Sequence, residues 1–178
     1  LHHVREIHIV SVGNECREML AVISNKGDDA ITVCCTNDSS VFSFRSDDVR
    51  IPAIAYSEDF KYLYEPNSSI MKAGCFGAIS EEYHVKSVGN NSHLFVGNSL
   101  INDFPGRKFT VNKIFSLNKR DMKENLSGLR QANITVRNFP MTVAELRKKL
   151  KLGDGGSVYL FATTLSDGSK VIISCSRC

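Results

Sequence analysis

Seven cations, Arg107, Lys108, Arg130, Arg137, Arg147, Lys148 and Lys149, fall between Pro105 and Cys178 together with an aromatic residue, Phe139. These are the side chains of the 178-residue chain whose types and crowding could hold a polyanion. Pro105–Cys178 carries 14 Lys and Arg against 5 Asp and Glu, whereas residues 1–104 carry 8 against 14, so a +9 segment follows a −6 segment and the overall +3 is their sum. Each Lys or Arg that neutralises a phosphate releases counterions, a contribution that depends on charge and hardly on base sequence. Phe139, if exposed, offers a surface on which an unpaired base could stack, although phenylalanine at such a position equally serves a core. Charge alone leaves a second reading open for each cation: a solvated face for the helix lysines, and for Arg137 a tie to a carboxylate or carbonyl within the protein.

Other chemistries find less support. His84 and His93 share a segment with Cys75, Glu81 and Glu82, but no His-x-x-x-His, His-Glu-x-x-His or Gly-x-Ser-x-Gly spacing occurs. His2, His3 and His8 cluster near the start, where a frayed end or a strand accounts for them. Cys175 and Cys178 have C-x-x-C spacing at a strand end, with no second pair to complete a zinc site. Cys16, Cys34, Cys35 and Cys75 sit among apolar neighbours and read as small core residues, Cys34 and Cys35 pointing to opposite faces if on a strand. No metal site is expected.

The elements that must position the cations are the most regular in the chain. The pattern predicts a strand over Lys108–Leu117, a helix over Lys119–Leu126, a strand over Ala132–Arg137, a helix over Thr142–Lys151, and a hairpin of Val158–Thr164 with Lys170–Cys175 across Ser166-Asp167-Gly168. Thr142-Val143-Ala144-Glu145 is a capping box. Val143, Leu146 and Leu150 fall on one face of that helix, which leaves Arg147, Lys148, Lys149 and Lys151 as a basic rail. Gly153-Asp154-Gly155-Gly156 follows a helix end and reads as a stop and turn, not as a phosphate cradle, which needs a helix start.

Upstream, Glu6–Val12 reads as a buried strand, Gly13-Asn14 as a turn into a helix capped by Asn14 with Leu20 and Ile23 on its apolar side, Lys26-Gly27-Asp28-Asp29 as a turn, and Ala30–Cys35 and Val41–Phe44 as strands. A strand, a crossover helix and a parallel strand make an α/β unit that looks cut from something larger. Between the two ends, Asn67 is placed to cap a helix over Ser68–Tyr83 with a small-residue stripe of Ile70, Ala73, Gly74, Gly77 and Ala78. The chain is 42% hydrophobic and 23% charged, ordinary for a folded domain; no membrane span and no export signal are evident, so a cytoplasmic location is expected.

The run Ser127-Gly-Leu-Arg-Gln-Ala-Asn-Ile-Thr-Val-Arg-Asn-Phe-Pro140, with the helix around Leu146 and Tyr159-Leu-Phe-Ala-Thr-Thr164, resembles the THUMP-like C-terminal domain of a bacterial family of S-adenosylmethionine-dependent methyltransferases. Tyr64-Glu65-Pro66-Asn67 and Phe104-Pro105-Gly106-Arg107 are similar to the ferredoxin-like segment that precedes it in that family. The resemblance implies an α+β or α/β chain in three parts. Residues 1–50 would be the remnant of a class I methyltransferase sheet, 51–104 the ferredoxin-like segment and 105–178 a small, basic THUMP-like domain. It also implies structured RNA, such as tRNA or rRNA, as partner, and a catalytic methyltransferase domain outside this sequence. Class I cofactor binding needs a glycine-rich turn after a first strand and an acidic ribose ligand, and neither is visible. The four prolines follow Ile51, Glu65, Phe104 and Phe139, so the Asp/Asn-Pro motif of amino-methylating enzymes is absent as well. The expectation is therefore a non-catalytic C-terminal region that binds and positions RNA, with S-adenosylmethionine implied for the parent enzyme and no cofactor in this chain. The alternative is an interaction or structural domain with no RNA affinity of its own.

Overall fold

The computed structural model describes residues 3–25, 30–48, 50–56 and 59–178. The expected turn at Lys26–Asp29, and His2, lie outside the described residues. Among these residues are eleven strands and four short helices, which divide between two compact units. The first unit comprises residues 1–53, 66–84 and 102–107, and the second residues 54–65, 85–101 and 108–178.

A mixed sheet of four strands organises the first unit: β1 (Val4–Val12), β2 (Glu15–Ile23), β3 (Thr32–Asn37) and β4 (Ser40–Arg45), in the order β2-β1-β3-β4. β1 and β3 are parallel, as expected, but the segment between them is a strand and not a crossover helix. The reason lies in Gly13 and Asn14, whose φ angles of 58° and 64° are both left-handed. Two consecutive positive φ values make the type I′ connection whose twist suits an antiparallel hairpin, so Gly-Asn folds the chain straight back on itself. Cys16, expected as core filler, is consequently exposed on β2.

Ile9, Val33, Cys35 and Phe42 are buried in this unit, and the register pairs Ile9 with Cys35 and Cys35 with Phe42, so they share one face. α1 (Ser68–Ala73) packs against β1, β2 and β3. Asn67 caps it as predicted, its side chain accepting from the Ile70 amide at 3.2 Å. The single helix expected over Ser68–Tyr83 is broken: Gly74 ends α1 in the left-handed region at φ 70°, and α2 (Phe76–Glu82) begins after Cys75. Gly77 of the small-residue stripe does serve close approach, since a Cβ there would collide with the Arg50 carbonyl. Cys35 and Cys75 hydrogen-bond to each other, and that bond together with burial pushes the Cys35 thiol up.

The second unit holds most of a seven-stranded sheet. Its strands are β5 (Tyr62–Pro66), β6 (Lys86–Ser87), β7 (Phe95–Gly97), β8 (Gly106–Ser116), β9 (Asn133–Arg137), β10 (Val158–Thr164) and β11 (Lys170–Arg177), in the order β6-β7-β5-β8-β11-β10-β9. Between them run α3 (Lys119–Leu126) and α4 (Val143–Leu150), each within a residue or so of the sequence-based spans. Apolar side chains gather in two clusters. One joins Phe60, Leu63, Val88, Leu94 and Val96 to Phe109, Phe161, Val171, Ile173 and Cys175. The other joins Phe115, Leu160, Ala162 and Ile172 of the strands to Leu146 and Leu150 of α4, with Met122 and Leu126 of α3 against it. Strand alternation carries Cys175 into the first cluster, where burial raises its thiol to about 12, and leaves Cys178 exposed.

Candidate nucleic-acid interface

α3 and α4 seat their apolar sides on the same cluster and so turn their other sides to solvent from one helical layer. Both helices begin with acidic groups that are consumed by the fold. At α3, Asn118 accepts from the Asp121 amide at 2.8 Å, while the Asp121 carboxylate accepts from Ser116 Oγ at 2.8 Å and the Ser116 amide at 3.2 Å. Those Ser116 hydrogen bonds, the side-chain one foremost, hold the Asp121 carboxyl below its ordinary range. At α4, Thr142 Oγ1 accepts from the Glu145 amide at 3.2 Å, and Glu145 Oε2 accepts from the Thr142 amide at 2.7 Å. That second bond is the main cause of a lowered Glu145 pKa.

The cations of the same helices point the other way. Lys148 and Lys149 of α4, and Lys151 at its left-handed cap, are exposed. So are Lys119, Arg120 and Lys123 of α3, which the sequence reading did not single out. Arg130 is exposed too, and its carbonyl accepts from the Gly153 amide at 2.8 Å, which sets it beside the turn that follows α4. Asp121 and Glu145 are thus turned back onto Ser116 and Thr142, while Lys119, Arg120, Lys123, Lys148, Lys149 and Lys151 remain in water beside one exposed carboxylate, Glu124. The α3 residues carry a readable signal: three cations in the first five helical positions beside a single acid, Asp121.

Other expected site residues have different surroundings. Arg147 donates from Nη1 to the Gly153 and Ala132 carbonyls at 2.6 and 3.2 Å, and from Nη2 to Asp154 Oδ1 at 2.6 Å. It fastens the turn after α4 to the start of β9. Arg137 donates from Nη2 to Glu65 Oε1 at 3.0 Å, the carboxylate being buried on β5. Its charge and above all burial depress the pKa of His93 nearby. Phe139 is half-buried against the cluster under α4. Arg107 and Lys108 are half-buried at the start of β8, with Arg107 in the first unit. The structure thus brings Arg130, Lys148 and Lys149 onto one layer, and engages Arg137 and Arg147 inside the second unit.

Comparison with known proteins follows these outlines. Residues 106–177 match a family described as THUMP domain-like, and residues 62–105 a family described as ferredoxin-like domain. The whole chain superposes on a crystal structure from Porphyromonas gingivalis W83 described as a "putative methyltransferase", with a TM-score of 0.90 and 30% sequence identity. The match covers 100% of this chain and 47% of that one, so this sequence spans about half of its structural relative. A search of the curated proteins gives no match. Among the described residues, no helix is long and apolar enough to cross a membrane.

Proposed function

We propose that this chain is the RNA-binding, non-catalytic region of a bacterial, cytoplasmic S-adenosylmethionine-dependent RNA methyltransferase, and that it holds structured RNA such as tRNA or rRNA for a catalytic domain outside this sequence. The observation that carries the reading is the helical layer of α3 and α4, in which the Asp121 and Glu145 carboxylates are bonded back to Ser116 and Thr142 while Lys119, Arg120, Lys123, Lys148, Lys149 and Lys151 face solvent. The THUMP-like match over this same region and the likeness to a protein described as a "putative methyltransferase" support the reading.

The residues present do not fit S-adenosylmethionine. A class I site uses a glycine turn that leads from a strand into a helix, so that backbone amides and the helix start meet the ligand. Here the glycine turn that leaves the first strand, Gly13-Asn14, opens a hairpin into β2. The same proposal assigns cofactor and chemistry to a catalytic domain outside this sequence. The part played by this chain is to fix RNA by its phosphates, Lys148, Lys149, Arg130 and the α3 cations supplying the contacts, with Arg107 and Lys108 as further candidates. Arg137 and Arg147 act as ties that keep the layer rigid, and Phe139 supports it from beneath.

Fluorescence anisotropy with bulk tRNA and with an RNA duplex of equal charge, each at two salt concentrations, tests this. Tighter binding to tRNA with a steep fall in affinity as salt rises is the expected result. Equal affinity for both would point to charge without substrate choice, and no binding at low salt would leave an interaction or structural domain.

A further inference from the structure

Although α1 reaches β2, it leaves the strand largely uncovered. All nine residues of Glu15–Ile23 are exposed, with Met19 63%, Leu20 51%, Val22 43% and Ile23 71% accessible. The strand sits at the end of its sheet and, among the described residues, pairs with β1 alone. The register sets Met19 against Ile9 and Ala21 against Ile7, but Leu20 against His8 and Val22 against Glu6, so apolar side chains stand on both faces. A strand with one wet face alternates, whereas a run that is apolar on both faces is the composition of a strand inside a sheet covered on both sides. Proteins that leave an edge in water shorten it or block it with proline, charge or a bulge. In β2 the charges Glu15, Arg17 and Glu18 and one register shift lie near the hairpin turn, the other shift falls on β1 between Val4 and Glu6, and the free edge of Met19–Ile23 carries neither charge nor proline.

We propose that β2 is a docking strand. Its free edge pairs with an edge strand of the S-adenosylmethionine-binding domain, whose helices then complete the cover that α1 leaves partial; the identity of this occupant rests on the function proposed above. Two observations select it. About half of the P. gingivalis chain lies outside the match, enough polypeptide for a further domain. A sheet flanked by helices on both sides can cover both faces of an added strand, whereas a second copy joined through β2 would extend the sheet and leave a face open. The strand then transmits position directly, because a pairing slip of one residue would exchange its two faces.

Hydrogen exchange on this chain and on the complete P. gingivalis protein, read at β2 and at its structural counterpart, tests the proposal alongside light scattering. The expected result is a monomer whose β2 exchanges quickly, and a counterpart in the complete protein that exchanges roughly 100-fold more slowly. A counterpart as fast as β2 would overturn the proposal. So would a dimer of this chain with protected β2 that Met19→Lys with Val22→Lys returns to a monomer, because the occupant would then be a second copy. S-adenosylmethionine binding by the complete protein is measured separately by calorimetry. A protected counterpart without cofactor binding would uphold β2 as a docking strand while removing the cofactor reading.

Discussion

Arg147 and its neighbour Lys148 were indistinguishable as sequence, two cations on one helix, and the structure separates them by what each touches. The three hydrogen bonds from Arg147 to the Gly153 and Ala132 carbonyls and to Asp154 make it part of the framework. Arg147→Met should therefore cost about 1.5–3 kcal/mol in urea unfolding, the range for hydrogen bonds that involve a charged group, while the salt slope of RNA binding stays as in the parent. Arg137 could not be told apart either, because its partner Glu65 lies 72 positions away in sequence and no local pattern announces it. His93 next to this pair gives a pH signature. Burial, helped by the Arg137 charge, lowers its pKa, so the unfolded chain takes up a proton at a higher pH than the native one. Stability is then full above the ordinary histidine range near pH ~6.5 and falls as pH drops through the native value. His93→Asn, which tolerates the left-handed φ of 54° at this position, should flatten the stability curve below about pH 6.5. An unchanged curve in thermal melts across that range would show that His93 titrates alike in both states.

At the scale of elements, α4 was legible because its start is written in the local sequence as the Thr142 capping box, and α3 and α4 alike because their apolar residues repeat at helical spacing. β2 was not, since Leu20 and Ile23 stand three apart and satisfy a helical stripe as well as a strand. The deciding information was the two-residue Gly13-Asn14 connection, whose consequence depends on a partner strand existing. The break at Gly74 was hidden for a similar reason, as glycine within a helical pattern is tolerated or terminal according to its packing. The basic layer inherits this difference, its direction being readable from periodicity while the recruitment of α3 beside α4 follows from a shared cluster. Replacing Lys148 and Lys149 by Ala, with Lys119 and Lys123 in a second variant, separates the contributions of the two helices. Each variant should keep its melting temperature, and each phosphate contact removed should lower the slope of log affinity against log salt by about 1. Thr142→Ala supplies the contrast, about 1 kcal/mol of stability through the lost cap and no change of slope.

For the whole molecule, the units of the fold and the stretches of the sequence are not the same objects. The segment matched as ferredoxin-like, residues 62–105, contributes 66–84 and 102–105 to the first unit and 62–65 and 85–101 to the second. The THUMP-like stretch therefore does not own its core. Phe109, Phe161, Val171 and Ile173 are buried against Phe60, Leu63, Val88, Leu94 and Val96, all of which precede residue 106. A protein cut to residues 106–178 would lose five large apolar partners. At about 1.5–3 kcal/mol for each side chain buried, that amounts to roughly 10 kcal/mol, comparable with the entire stability of an ordinary domain. Such a truncation should lack near-ultraviolet ellipticity and dispersed amide resonances and should bind a hydrophobic dye, although it keeps every residue of the basic layer. A chain from residue 54 onward retains both halves of that cluster and should hold more of its tertiary signal than the shorter piece. A cooperative melt of residues 106–178 at the temperature of the full chain would mean that the second cluster, beneath α3 and α4, carries the fold by itself. The RNA layer would then be separable from the rest, whereas the shared cluster predicts that it is built only on a sheet assembled from both stretches.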